Sequence, residues 1–538
     1  MLLYWRLTHR PQNRLLLVAS YVFYGFWDYR FLFLILISTV IDFIGGLGVA
    51  GIQLPVRRQS RLFVMIVASA LALCSNVQYG ALWVGLASLD WRAVLATLPW
   101  RWNDFAVPLG ATIACILYWR FLRGLYAASA DRRRKYFLAV SMVANLTILG
   151  FFKYFDFFTA SFQALLRNIG ITNVPIQVLG IVLPVGISFY TFQAMSYTID
   201  LYRGTAEATD DFADFALFVC FFPHLVAGPI MRAHTLLPQV VKPRRLQSGA
   251  FEEGLVLVMF GLFKKIVIAD NLAPIANAVF FRFADGTVGQ LSGLDVLVGL
   301  YAFAFQIYGD FSGYSSIARG ISKWLGFELV VNFHLPYLAV SPSDFWRRWH
   351  ISLSTWLRDY LYVSLGGNRR GTYRTYRNLM LTMLLGGLWH GASWTFVGWG
   401  LYHGVLLCLF RGFGLSDPSP HGTVGTRLAW LARVAIMFHL TCLGWLLFRA
   451  DSFQTVLQMS QLMLTDLHWT PFVTASLAAI AFYCGVLTIV EWRLDGEFQM
   501  GRLLSKAWPV RGVVYAYVTV MLIIFPAAGS REFLYFQF

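Results

Sequence analysis

Two histidines have the residue types and surroundings to do chemistry. His390 lies in the apolar run LLGGLWHGASW, between Trp389 and Gly391, with Gly386, Gly387 and Ala392 nearby. A neutral imidazole can accept a proton near neutral pH, and an ionisable group inside a membrane span is a functional hypothesis by default. The plain alternative is a packing histidine bonded to a backbone carbonyl of another helix. Small residues let a second backbone or a ligand come close, and Trp389 and Trp394 could wall a tunnel. This combination favours a catalytic or ligand role, the catalytic one being that of a general base. His350 closes the cluster FWRRWH, after Arg347, Arg348 and Trp349. Tryptophan and arginine anchor at membrane interfaces, so an interfacial anchor is the simple reading. The spacing Phe345, Trp349, Ser352, Trp356 also fits one face of an amphipathic helix, which would let His350 point inward while the arginines face phosphate. Upstream, GDFSGYS reads as a polar turn just past an apolar helix, presenting Asp310, Ser312 and Tyr314. With Arg347, Trp349 and Trp389, these are the candidate substrate-binding residues; His390 and His350 are the candidate catalytic pair.

Other chemistries lack their motifs. No H-E-x-x-H, H-x-x-x-H or Cys/His cluster has metal-ligand spacing. No G-x-S-x-G elbow, Walker loop or G-x-G-x-x-G occurs. The six cysteines lie in or beside apolar runs without a C-x-x-C pair, and read as small buried hydrophobes. His403 and His439 also lie in apolar runs and read as structural, for want of a small-residue cluster like that of His390.

The elements that must position these residues are membrane helices. The chain has 538 residues, 58% hydrophobic and 13% charged, against about 45–50% apolar and about 25% charged in soluble domains. This is the composition of an all-α polytopic membrane protein. A net charge of +16 would suggest nucleic acid in a soluble domain. Here the basic residues sit in short clusters between apolar runs, which suits loop charges that set topology and touch anionic lipid. Membrane lipid is the expected partner, and nucleic acid is not. The first apolar run, Leu15–Trp27, lacks a small-residue cleavage site and is soon followed by another span, so no cleavable signal peptide is expected.

At about 20 residues per span, the apolar runs predict roughly 11–13 membrane elements, several half-length or re-entrant. Leu15–Trp27 and Phe31–Gly51 come first. Leu62–Leu89 is interrupted by Ser75, Asn76 and Gln78. Tyr136–Phe158 carries Lys153 near its far end, where it can snorkel. Pro184 and Gly186 predict a kink in Val178–Thr191. FFPHLVAGPIMR, with Pro223 and Pro229, predicts a broken or re-entrant element, which is tolerated only if buried in protein. The densest basic loop, Arg120–Lys135, and the arginines from Arg347 to Arg377 mark the cytoplasmic side. From Arg377 to His390 a helix would climb roughly 20 Å at about 1.5 Å per residue. His390 is therefore expected to be far deeper than His350, with both rings on one passage.

Four motifs carry a family resemblance: LPVGISFYTFQAMSYTIDLYR (Leu183–Arg203), FFPHLVAGPIMR (Phe221–Arg232), YGDFSGYSSIARG (Tyr308–Gly320) and the block Pro336–Gly404; the ending FLYFQF (Phe533–Phe538) is similar too. With these the chain resembles the membrane-bound O-acyltransferases, nearest the branch of the alginate O-acetylation membrane protein, a relative of the teichoic acid D-alanyl transfer protein. The resemblance implies acyl transfer to a hydroxyl within a helical bundle around a transmembrane tunnel. His390 would be the family's invariant histidine and His350 its second motif histidine. It also implies acetyl-CoA or another acyl thioester as donor, no bound cofactor, and a location in the cell inner (cytoplasmic) membrane. The implied function is movement of an acyl group, acetyl by resemblance, from a cytoplasmic thioester across the membrane for O-acetylation of an extracytoplasmic polysaccharide. A periplasmic or extracytoplasmic acetyltransferase is the implied partner. D-alanyl or other acyl transfer to a cell-envelope polymer, and a non-enzymatic channel or scaffold of an exopolysaccharide machine, are the alternatives. Against the resemblance, two departures are expected: the chain would lack most of a first apolar helix, and Ile52–Asp131 looks inserted. The expected organisation is 1–51 N-terminal membrane helices, 52–131 an inserted membrane segment and 132–538 the acyltransferase core.

Overall fold

The computed structural model describes residues 1–538 except 75–78, 98–101, 172–177, 287–290, 416, 419–420, 422, 495–502, 528–532 and 535–538. The described residues form helices and connecting segments without a strand. Among the described residues, five helical stretches are long and apolar enough to cross a membrane: Arg30–Ala50, Ala130–Asn168, Gly293–Trp324, Val424–Arg449 and Pro471–Arg493. Other described helices are shorter, more charged or less apolar. The protein is an all-α, multi-pass membrane protein. The polar interruption expected at Ser75, Asn76 and Gln78 and most of the C-terminal FLYFQF motif lie outside the described residues.

The chain packs as two discontinuous units. The first comprises residues 1–152, 181–226 and 232–244. Its centre is a buried polar knot: the Asp42 carboxylate accepts from Ser141 Oγ at 2.6 Å and Asn145 Nδ2 at 2.7 Å, and Ser141 also reaches Thr198 at 3.1 Å. These residues come from the helices Arg30–Ala50, Ala130–Leu149 and Ile187–Arg203. Hydrogen bonds shared among buried side chains in this way tie the helices in one register. Residues 52–131 lie within this unit, where Val56–Cys74 packs against both Arg30–Ala50 and Trp102–Leu125.

Two expectations are corrected in this unit. Arg120–Lys135 is mostly helix, broken only at 126–129, and two of its arginines cap other helices. Arg133 Nε donates to Gly48 O at 3.2 Å and Arg134 Nη2 to Tyr202 O at 2.7 Å, placing cations at the orphan carbonyls of helix C-termini. Val178–Thr191 is not a kinked helix; the helix begins only at Ile187. Gly186 before it takes φ +74°, and a Cβ there would lie 2.6 Å from Leu225 O. The proline-broken element appears as expected: Phe212–Cys220, one turn at Phe222–Leu225, then non-helical backbone up to Ala233, largely buried.

The second unit comprises residues 153–180, 227–231 and 245–538. Its axis is the Gly293–Trp324 helix, started by a capping box between Ser292 and Asp295. The expected polar turn at GDFSGYS is absent, because the helix runs straight through it. Its glycines serve close packing instead. A Cβ on Gly313 would lie 2.8 Å from Gly261 O, and one on Gly309 would lie 2.8 Å from Lys264 O. The partner is the Ala250–Leu262 helix and its π-helical continuation, Phe263–Ala269. Glycines four apart let two membrane helices bring their backbones together. Because both facing atoms are backbone, Gly313→Val should force the helices apart; overpacking costs typically about 1–3 kcal/mol. The expected outcome is a lowered melting temperature of the purified protein in detergent, and an unchanged melt would refute this account of the motif.

Candidate active site

His390 is the last residue of the helix Thr372–His390. The chain leaves the helix through extended Gly391, and Ser393 caps the next helix, Trp394–Gly412, by accepting from Thr395 N at 3.3 Å. The two helices pack as a hairpin at the expected small residues. A Cβ on Gly387 would strike Phe396 O, and one on Gly391 would strike the Phe396 ring. The room left by these glycines is therefore filled by the neighbouring helix and its side chain, not left for a ligand.

The His390 ring sits in an aromatic cage: centroids of Trp399 at 4.9 Å, Trp389 at 5.0 Å and Phe448 at 5.4 Å, all edge-to-face. It is 6% exposed, and Nδ1 has no hydrogen-bond partner among the described residues. Leaving a buried polar atom unsatisfied costs about 1–3 kcal/mol, so such an atom asks for a functional reason.

His350 is not on a continuous amphipathic helix with Phe345 and Trp356. Pro342–Arg348 and Ile351–Trp356 are separate short helices, and His350 between them takes left-handed φ +42°, ψ +55°. Few side chains accept this conformation, and it is held where surrounding structure enforces it, often at functional sites. The enforcement is visible. Ile351 N donates to Asn332 O at 2.8 Å, Ser352 Oγ to Asn332 Oδ1 at 2.9 Å, and His334 N to Arg348 O at 2.9 Å. The His350 Nδ1 accepts from Leu353 N at 3.4 Å as a helix cap. The turn buries the imidazole, 2% exposed, against Phe333 at 6.1 Å, Trp389 at 6.3 Å and Phe311 at 6.5 Å.

The two histidines are brought together: both contact the one indole of Trp389, from His350 at 6.3 Å and from His390 at 5.0 Å. The other candidates divide. Trp349 is buried, parallel to Phe345 and 4.8 Å from Trp445. Arg347 stays outside, its side chain 62% exposed and paired with Asp417 at 3.2 Å. Asp310 is buried with its oxygens engaged by Lys265 Nζ at 2.8 Å and Leu534 N at 2.6 Å. Ser312 is fully buried, and its Oγ has no partner among the described residues. Tyr314 packs on Phe533 at 5.5 Å. Trp394 points away from the cage, to Phe157 and Ser161.

Two residues to which the sequence reading gave no place at the site are neighbours of His390. His403 shares Trp399 with His390, 4.8 Å from that ring, and stacks on Phe345. Its signal was present, since Gly400 and Gly404 flank it as small residues flank His390. Lys153 does not snorkel. It is buried and donates to the carbonyls of Trp389 and, at 3.3 Å, His390. The sequence offered no sign of that contact, which spans more than two hundred residues. His439 bonds Tyr301 Oη at 2.7 Å, as a structural residue would.

The family model of the membrane-bound O-acyltransferases matches residues 209–449, a stretch that contains both histidines. A protein of Azotobacter vinelandii named "Probable alginate O-acetylase AlgI" is 44% identical over 69% of this chain and 71% of its own length. The chain belongs to the membrane-bound O-acyltransferase family. This membrane-bound O-acyltransferase is also 38% identical to the protein of the same name from Pseudomonas putida, over 82% of this chain and 91% of the relative. It is 36% identical to "Peptidoglycan O-acetyltransferase" of Helicobacter pylori, over 72% and 74% of the two chains. As a membrane-bound O-acyltransferase it is an enzyme, and its chemistry requires a base for a hydroxyl proton and a site for an activated acyl group. The buried histidine pair around Trp389 lies within the matched region.

Proposed function

We propose that this acyltransferase moves an acetyl group from acetyl-CoA, a cytoplasmic thioester, to a hydroxyl of an extracytoplasmic polysaccharide. His390 Nδ1 accepts the hydroxyl proton while that oxygen attacks the thioester carbonyl. The tetrahedral centre then collapses, the C–S bond breaks, and the departing thiolate takes up the proton from His390. The observation that carries this reading is the His390 Nδ1: buried, without a partner among the described residues, and beside a second buried histidine. Proton transfer of this kind contributes typically about 10²–10⁴-fold, and holding donor and acceptor together adds to it. His350 shapes the donor side of the same indole, and exposed Arg347 suits the phosphates of coenzyme A.

The acetyl group and the polysaccharide acceptor are supported by the names of the relatives, which act on alginate and peptidoglycan. The protein then works in the cytoplasmic membrane, and an extracytoplasmic acetyltransferase acting on the same polysaccharide is the partner class this reading fits. The test uses the full chain in sealed vesicles with acetyl-labelled acetyl-CoA supplied to one side and an oligosaccharide acceptor to the other. Label should appear as an ester on the acceptor with release of free thiol. Thiol release with no labelled ester, or movement of an intact molecule without thioester cleavage, would overturn direct transfer.

A further inference from the structure

The last turn of the His390 helix is gripped from outside. The final four carbonyls of a helix have no intrahelical donor. Here three consecutive ones, on Leu388, Trp389 and His390, are met by two consecutive residues of another segment. Tyr154 Oη donates to Leu388 O at 2.9 Å. Lys153 Nζ donates to Trp389 O and, at 3.3 Å, to His390 O. The ammonium also lies 5.6 Å from the Trp389 ring centre, over the indole that both histidines touch. Lys153 and Tyr154 close a π-helical stretch, Gly150–Tyr154, before the chain continues as the helix Phe155–Asn168. Such stretches insert an extra residue into one turn and occur often at functional sites.

A buried ammonium is costly unless charge and hydrogen bonds compensate it. A helix C-terminus supplies both, since its carbonyls carry the negative end of the dipole. A helix end that served only for stability could be closed by a glycine and water. This one is closed by a cation bonded to the backbone of the candidate base itself. We infer that Lys153, with Tyr154, is a positioning residue for acyl transfer: the pair clamps the C-terminal turn of the Thr372–His390 helix and so sets the direction of the His390 ring and the pose of Trp389.

The inference rests on the reading of His390 as the base, and the experiment separates the two. Full-length Lys153→Met, Lys153→Arg, Tyr154→Phe and His390→Gln proteins are compared in vesicles for kcat, for KM toward acetyl-CoA and for melting temperature. Misplacing a reacting group by about an ångström can cost about 10²-fold, so Lys153→Met should lower kcat by at least roughly tenfold, with KM within about twofold. Lys153→Arg, which keeps a charged donor, should recover most of that loss. Tyr154→Phe, which removes one hydroxyl, should lower kcat a few-fold. Unchanged kcat in Lys153→Met beside an inactive His390→Gln overturns the clamp and leaves the base standing. A lower melting temperature with unchanged kcat, or a raised KM alone, also overturns it. Should Lys153→Met fail to insert, Tyr154→Phe decides: wild-type kcat there refutes the clamp. An active His390→Gln shows instead that the base assignment has failed.

Discussion

Replacing His390 with glutamine should reduce acyl transfer by at least about 10²-fold, the loss of one general base, while the protein still inserts and melts near the wild-type temperature. The choice of glutamine follows from the cage. Trp389, Trp399 and Phe448 press on the ring from three sides, so alanine would open a cavity, and large-to-small changes in packed cores cost about 2–5 kcal/mol. An alanine variant could lose activity through structure alone. Glutamine fills most of the volume and keeps a polar head, but cannot take a proton near neutral pH. Rates from stopped thioester cleavage, beside a detergent melting curve, check the expectation. Transfer above roughly a tenth of wild type would remove His390 as the base, because the defining contribution of such a group is larger than that.

The second large effect concerns stability. Lys264 and Glu491 form an ion pair at 2.7 Å with side chains 1% and 8% exposed, and Tyr308 Oη donates to the other Glu491 oxygen at 2.7 Å. The pair joins the π-helical stretch Phe263–Ala269 to the helix Pro471–Leu494. Removing one member of a buried pair leaves a charge without its counterion and costs about 3–5 kcal/mol, while replacing both by apolar residues is often neutral. Glu491→Ala should therefore lower the melting temperature sharply and reduce yield. The double variant Lys264→Met/Glu491→Leu should restore most of the loss. If the double variant melts as low as the single one, the pair contributes through attraction and not by mutual relief of burial.

What the sequence determined by itself was what depends on composition and on neighbours in the chain. Apolar runs and low charge dictate helices in a membrane, because a backbone in lipid must satisfy its own hydrogen bonds. Prolines at 223 and 229 broke an element where expected. The apolar, Trp- and Gly-rich helix that carries His390 was readable from its immediate neighbours, though not that it ends at His390, and long motifs carried the family. What only the tertiary structure decided involves partners far away in the chain. Composition cannot say which helix a glycine faces, so GDFSGYS read as a turn, although its glycines meet the backbone of another helix. Periodicity ran Phe345 to Trp356 as one face, but bonds to Asn332 force His350 into a left-handed conformation and turn its ring inward. The rule that lysine near the end of a span reaches for water was overridden at Lys153, where orphan carbonyls of a distant helix offered the ammonium a better partner than lipid headgroups. The meeting of His350 and His390 on Trp389 has the same origin. It is a packing event between segments, and one-dimensional pattern does not encode which side chains are brought face to face.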